Sequence, residues 1–259
     1  MKQPFVNIVF ILIFALGLCA CAKSPYTGRS QFMVVTESQE QALGQDASQE
    51  VKHREEIVST GPGVERITEV GLRIAAAVGR PDMTWEFLLV KNDEVMNAFA
   101  LPGGKIFVYT GLLGLADTDP ELATVMAHEV AHVLARHGAE RMSTEMMIGI
   151  GAQVGAAAIS IADPYVASVF GQAYGMGINV GLVLPFSRQM EEEADYIGLI
   201  LMAKAGYDPE AALAFWEKMA REKDGAEPPV WLSSHPTSAA RIEDIRQSLP
   251  SVKARYWKQ

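Results

Sequence analysis

The chain has 259 residues, with 31 acidic against 22 basic side chains and a formal net charge of −9; hydrophobic residues make up 49% and charged ones 20%. These values fit a globular protein with ample apolar residues for a core, and they exclude the disordered and collagen-like classes. Two cysteines exclude a disulfide framework or a four-cysteine zinc module, and the acidic balance argues against a nucleic-acid groove, since phosphates want clustered Lys and Arg.

Residues 1–20, MKQPFVNIVFILIFALGLCA, place Lys2 ahead of an apolar run from Phe5 to Leu18, the layout of a secretory signal peptide. The string Leu18-Cys19-Ala20-Cys21 resembles the lipobox of bacterial lipoproteins, in which a small residue precedes the acceptor cysteine. That resemblance implies removal of 1–20 and lipidation of Cys21, which would tie the chain to a membrane. An uncleaved N-terminal membrane helix is the alternative, and either reading places the remainder outside the cytoplasm, in a cell envelope. No Asp follows Cys21; by resemblance to lipoprotein sorting in Gram-negative bacteria this implies the outer membrane, facing the periplasm.

Residues 21–36 read as a short polar tether with turn signals at Ser24-Pro25 and Thr27-Gly28, and 37–259 as the folded domain. A charged helical pattern covers 37–58 and an amphipathic one 62–78. Short strands are predicted at 85–90, 96–100 and 106–109, the last two separated by Pro102-Gly103-Gly104. Asp119-Pro120-Glu121 opens a helix, with Asp119 as its cap and Pro120 in its first turn, that should run to His137 and stop at Gly138. Further helices are predicted over 189–205, closed by Gly206, over 208–222, and over 237–249. The fold class is α+β: a mainly helical domain with a small β-sheet.

The segment 146–187 stands apart, with Asp163 as its single charge and seven glycines. Its stretch 164–184 is long enough to span a bilayer, but the glycines, Gln172 and Asn179 weaken it as a lipid-facing helix. A buried helical hairpin over the active site and a membrane-dipping or substrate-contacting insertion are the two readings.

The chemistry centres on His128-Glu129-Val130-Ala131-His132. Histidines four apart on a helix stand on one face and can share a metal ion, with Glu129 beside them as a base; this is the arrangement of zinc peptidases. The surrounding positions are apolar, so the motif belongs to the core, where two unpaired histidines and an acid would be costly without a metal. A catalytic zinc needs a third protein ligand. Glu191 is the candidate: it shares a helical face with Asp195, so one can ligate while the other accepts a hydrogen bond from a ligand histidine. Glu192 and Glu193 should point elsewhere, and His53 and His137 read as surface residues.

HEVAH followed by SRQMEEEAD resembles the gluzincin peptidases of the HtpX and CaaX-prenyl-protease type. Asn97-Ala98-Phe99-Ala100-Leu101-Pro102-Gly103-Gly104 resembles that family's edge-strand segment, and Ser234-His235-Pro236 with Arg241 its C-terminal motif. The tether Tyr26-Thr27-Gly28-Arg29-Ser30 and the lipobox are most similar to the LoiP-type periplasmic lipoprotein members. The resemblance implies a zincin-like fold holding one Zn2+ on His128, His132 and Glu191, with Glu129 as general base and then acid. Asp195 would orient a zinc histidine, His128 first. Asn97 and the Ala98-Phe99 backbone would pair with an extended substrate. His235 would stabilise the oxyanion or, in a resting state, reach the zinc and block it, with Arg241 supporting that region as a substrate-binding residue. An edge strand reads backbone more than side chain, so the expected substrates are unfolded or misassembled envelope proteins. A zinc-stabilised scaffold that binds such proteins without cutting them is the alternative, and Glu129 argues against it. Oligomeric state is not legible.

Overall fold

The computed structural model describes residues 21–160, 186–223, 229–236 and 238–258. The expected signal peptide and residues 161–185 of the apolar, glycine-rich segment lie outside the described residues. Two compact units form, one from 21–37 with 139–160, the other from 38–138 with 186–258.

In the first unit, β1 (Cys21–Lys23) pairs antiparallel with β2 (Ser30–Phe32), so the stretch expected as a tether is a small hairpin. Its turn closes through Ser24 N–H to the Arg29 carbonyl at 2.9 Å. Arg29 donates two hydrogen bonds to Glu140, at 2.7 and 2.6 Å, and Gln31 adds a third at 2.9 Å. The Ser143 hydroxyl accepts from the N–H groups of Val34 and Val35.

In the second unit, α1 (Glu37–Arg54) leads into β3 (Ile57–Val58), α2 (Pro62–Val78) and β4 (Glu86–Val90). β5 (Ala98–Leu101) and β6 (Lys105–Tyr109) follow, then α3 (Thr110–Leu115) and α4 (Asp119–Leu134). The sheet order is β3-β4-β6-β5, with β4 and β6 parallel and the other pairs antiparallel, so β5 is an edge. The turn before β6 needs left-handed backbone twice, at Gly103 and Gly104, both with φ 82.

Helix α4 begins one residue earlier than the Asp-Pro signal suggested. Thr118 is the cap, and its hydroxyl and the Glu121 carboxylate satisfy each other's backbone N–H groups. It also ends earlier, at Leu134. Arg136 then takes a left-handed φ of 53, and α5 (His137–Ser160) starts immediately, with Gly138 inside it. A non-glycine residue in that region costs of order 1–3 kcal/mol, and Arg136 is held there by Glu40, Nε to Oε2 at 2.6 Å. Among the described residues no helix is long and apolar enough to cross a membrane.

The remaining helices are α6 (Arg188–Lys204), α7 (Glu210–Lys223), α8 (Trp231–Ser234) and α9 (Ala239–Tyr256). The last passes its expected end at Leu249 and continues through Pro250. Ile245, Leu249 and Val252 are all buried, and that apolar face rewards the extra turns more than the lost proline N–H costs. Helix α4 packs against α2, α6, α7 and β5, which explains why it is buried on nearly every side. The fold is therefore the expected mainly helical α+β domain.

Helix α1 steadies the β5–β6 turn from outside. A Cβ on Gly44 would meet the Pro102 carbonyl oxygen at 2.1 Å and its carbon at 2.7 Å. Alanine normally gains about 1 kcal/mol over glycine in a helix; here the close backbone reverses the sign. Gly44→Ala is expected to destabilise by about 1–3 kcal/mol, the usual range for overpacking, as a lowered midpoint in thermal unfolding.

Candidate metal centre

Helix α4 presents His128 and His132 one turn apart, with Glu129 beside them. Helix α6, capped by the Ser187 hydroxyl on Met190 N–H, brings Glu191 and Asp195 opposite. The turn after α8 adds His235. All six residues are buried.

His128 Nε2 lies 3.1 Å from His132 Nε2 and 3.2 Å from His235 Nδ1. The Glu191 carboxylate stands 3.5 Å from His128 Nε2, 3.4 Å from His132 Nε2 and 3.0 Å from His235 Nδ1. Three imidazole nitrogens and a carboxylate thus converge on one point, all within 4.8 Å of one another. Ligands about 2.0–2.1 Å from a tetrahedral cation stand roughly 3.3–3.4 Å apart, so these four groups fit a metal ion. Without a cation, the facing lone pairs of three buried rings would be hard to satisfy.

The second layer holds this set. Asp195 Oδ1 is 3.0 Å from His128 Nδ1. Arg241, 2% exposed, grips Asp195 through two bonds of 2.9 Å and reaches Glu191 Oε2 at 2.6 Å and the Pro236 carbonyl at 2.9 Å. Arg241 therefore stands behind the carboxylates, away from the substrate-contacting position expected for it: two buried acids on one helix face demand the cation. Its guanidinium lies over Trp216 at 4.1 Å, and Trp216 stacks on Trp231 at 5.0 Å.

Glu129 accepts a hydrogen bond on Oε1 from Trp231 Nε1 at 2.8 Å, and His235 Nε2 is 3.4 Å from the same oxygen. Trp231 also donates its backbone N–H to the Met96 carbonyl, just before β5.

The edge strand sorts its own residues. Tyr109 N–H donates to the Asn97 carbonyl at 3.0 Å, so the odd positions of the Ala98–Leu101 strand face β6. Asn97 gives its carbonyl to β6 and Phe99 pairs with Phe107 there, the two rings stacking at 4.9 Å. Ala98 and Ala100 are the residues whose backbone points to the outer edge, where no strand pairs among the described residues. The expectation that Phe99 offers its backbone outward is corrected by this alternation. Cys21 lies in β1.

Residues 41–249 match the sequence model of peptidase family M48. The chain belongs to peptidase family M48. It is accordingly a metalloprotease. Mitochondrial metalloendopeptidase OMA1 of Schizosaccharomyces pombe is 37% identical over 235 residues, 89% of this chain and 67% of that protein. The OMA1 of Saccharomyces cerevisiae is 30% identical over 252 residues, 90% and 70% of the two chains. The beta-barrel assembly-enhancing protease of Escherichia coli is 28% identical over 258 residues, 95% of this chain and 52% of that one. The chain spans about half the length of this bacterial relative.

Several residues around the M48 centre escaped the motifs. His137 and Glu193 are buried, not on the surface, and contact each other. Trp231 carries no spacing signal; its tryptophan type in a glycine-poor C-terminal segment was the one available hint. Phe186 places its ring 4.1 Å from that of His132. His53 is exposed, as expected.

Electrostatics separate the two helix histidines. Burial opposes charge on His128, but Asp195 and Glu191 outweigh it and raise its pKa from 6.5 to about 9. Burial dominates at His132 and holds it well below 6.5. Burial also opposes the Glu191 charge, yet His235, His128 and His132 keep its carboxyl well below the usual range. The metal-free chain thus carries a proton on His128 at neutral pH, and a ligating imidazole must lose it. Metal affinity is expected to rise roughly tenfold per pH unit up to about pH 9 and then level off, as read by chelator competition on the stripped chain.

Proposed function

We propose that this chain is a zinc metalloendopeptidase of the cell envelope, anchored through lipidated Cys21, that hydrolyses peptide bonds in unfolded or misassembled envelope proteins. The observation that carries the reading is the convergence of His128, His132 and Glu191 on one point with Glu129 alongside. His2Glu is the donor set of a catalytic zinc, and an acid next to the metal has no use in a purely structural site. The names of the relatives support the setting: one is called a beta-barrel assembly-enhancing protease, others mitochondrial metalloendopeptidases.

His128, His132 and Glu191 would hold the zinc, which when bound supplies Lewis acidity for activating water and polarising the scissile carbonyl. The Glu129 carboxylate, its Oε1 fixed by Trp231, takes the proton of the attacking water and returns it to the leaving amine nitrogen. Ala98 and Ala100 offer outward backbone groups to an extended peptide, which makes selection depend on an available strand more than on side chains. Such selection favours chains that have failed to fold.

The test uses the purified full chain, metal-analysed and incubated with unfolded casein. One zinc per chain and cleavage are expected. Glu129→Gln should retain the zinc and lose about 10²–10⁴-fold in kcat. Full cleavage by a zinc-replete Glu129→Gln chain would sink the proposed mechanism.

A latent resting state is the second reading, favoured by the place of His235. Its Nδ1 occupies the fourth corner of the ligand set and its Nε2 approaches Glu129, where substrate and water must come. His235→Ala is expected to raise casein cleavage about tenfold, equivalent to about 1.4 kcal/mol of preference for the closed arrangement. A fall in activity would assign His235 to oxyanion stabilisation instead.

A further inference from the structure

His132 has a second set of neighbours on the side of its ring away from the ligand cluster. His137 Nδ1 stands 3.0 Å from His132 Nδ1, and His137 Nε2 stands 3.1 Å from Glu193 Oε2. His137 is wholly buried and Glu193 is 5% exposed. The three side chains form a line from helix α4 through the first residue of α5 to helix α6.

Proton positions in this line follow from the ligand role of His132. A neutral imidazole that ligates through Nε2 keeps its proton on Nδ1, so His132 donates to His137 Nδ1. His137 must then carry its own proton on Nε2, and it donates that proton to the Glu193 carboxylate. Each ring has one allowed tautomer, and the carboxylate at the far end fixes both.

The backbone is bent to make this contact. On an unbroken helix a residue five positions after His132 would stand about 140° round the axis, facing away from it. The left-handed Arg136, anchored by Glu40, breaks the helix just ahead of His137 and turns its ring back onto His132. His128 is backed separately, by Asp195 and Arg241. The two ligand histidines thus have independent supports, drawn from alternate acids of helix α6.

We propose that His137 and Glu193 are positioning residues of the metal centre, holding the His132 ring and its proton so that Nε2 faces the cation. The proposal rests on the reading of His132 as a ligand.

The test titrates the metal-stripped full chain with Zn2+ against a chromophoric chelator and records the visible absorption band of the Co2+ form. His137→Phe is expected to raise the zinc Kd by about 10–100-fold, the usual effect of removing such a partner, and to alter the Co2+ band. His137→Asn, whose amide oxygen can accept the His132 proton, should recover most of the affinity. Glu193→Gln should weaken zinc severalfold with the fold intact by circular dichroism. Zinc affinity within twofold of the parent and an unchanged Co2+ band in His137→Phe would overturn the proposal. Equal losses in the Phe and Asn variants would also overturn it, since packing alone would then explain them. If His137→Phe does not fold, unchanged affinity and spectrum in Glu193→Gln overturn it. A parent chain that takes up no metal would overturn the ligand reading as well, which separates the two failures.

Discussion

Satisfying four buried carboxylates around the centre is the constraint on which the rest of this structure depends. Glu129, Glu191, Glu193 and Asp195 are all buried, and each must find donors or a cation. Arg241 answers two of them at once, bridging Glu191 and Asp195 from behind. Trp231 answers Glu129, and His137 answers Glu193. The aromatic stack of Trp216 and Trp231 closes that side against water and carries the guanidinium on its face. The helices α4, α6 and α9 are therefore locked together by polar contacts whose purpose is the centre they enclose.

Much of this was legible in the sequence, and the reason is spacing. Residues four apart on a helix share a face, so His128 with His132, and Glu191 with Asp195, could be read as pairs. The strands could be read from apolar runs broken by Pro102-Gly103-Gly104. Helix α2 spans Pro62–Val78, the bounds expected from its amphipathic pattern, and Gly79 caps it in the left-handed conformation.

The parts that were not legible depend on long-range geometry. His137 looked like the last residue of a helix because nothing in Leu134-Ala135-Arg136 announces a left-handed corner; arginine is an unusual residue to find there. Without that corner His137 and Glu193 have no reason to meet. Thr118 was passed over as a cap because Asp119 is an equally good one, and only the reciprocal bond to Glu121 decides between them. Arg241 was assigned to the correct region from a motif, but a motif does not say which way a guanidinium points.

The six residues 230–235 have a mechanical consequence. Through Trp231 they hold the strand entrance at Met96 and the oxygen of Glu129, and through His235 they fill the fourth corner of the ligand set. One short piece of chain thus bolts three doors. Under the latent reading none can open alone, because His235 N–H is itself bonded to the Trp231 carbonyl within the same turn. Under that reading a protease built this way switches as a unit, with no partly competent form between.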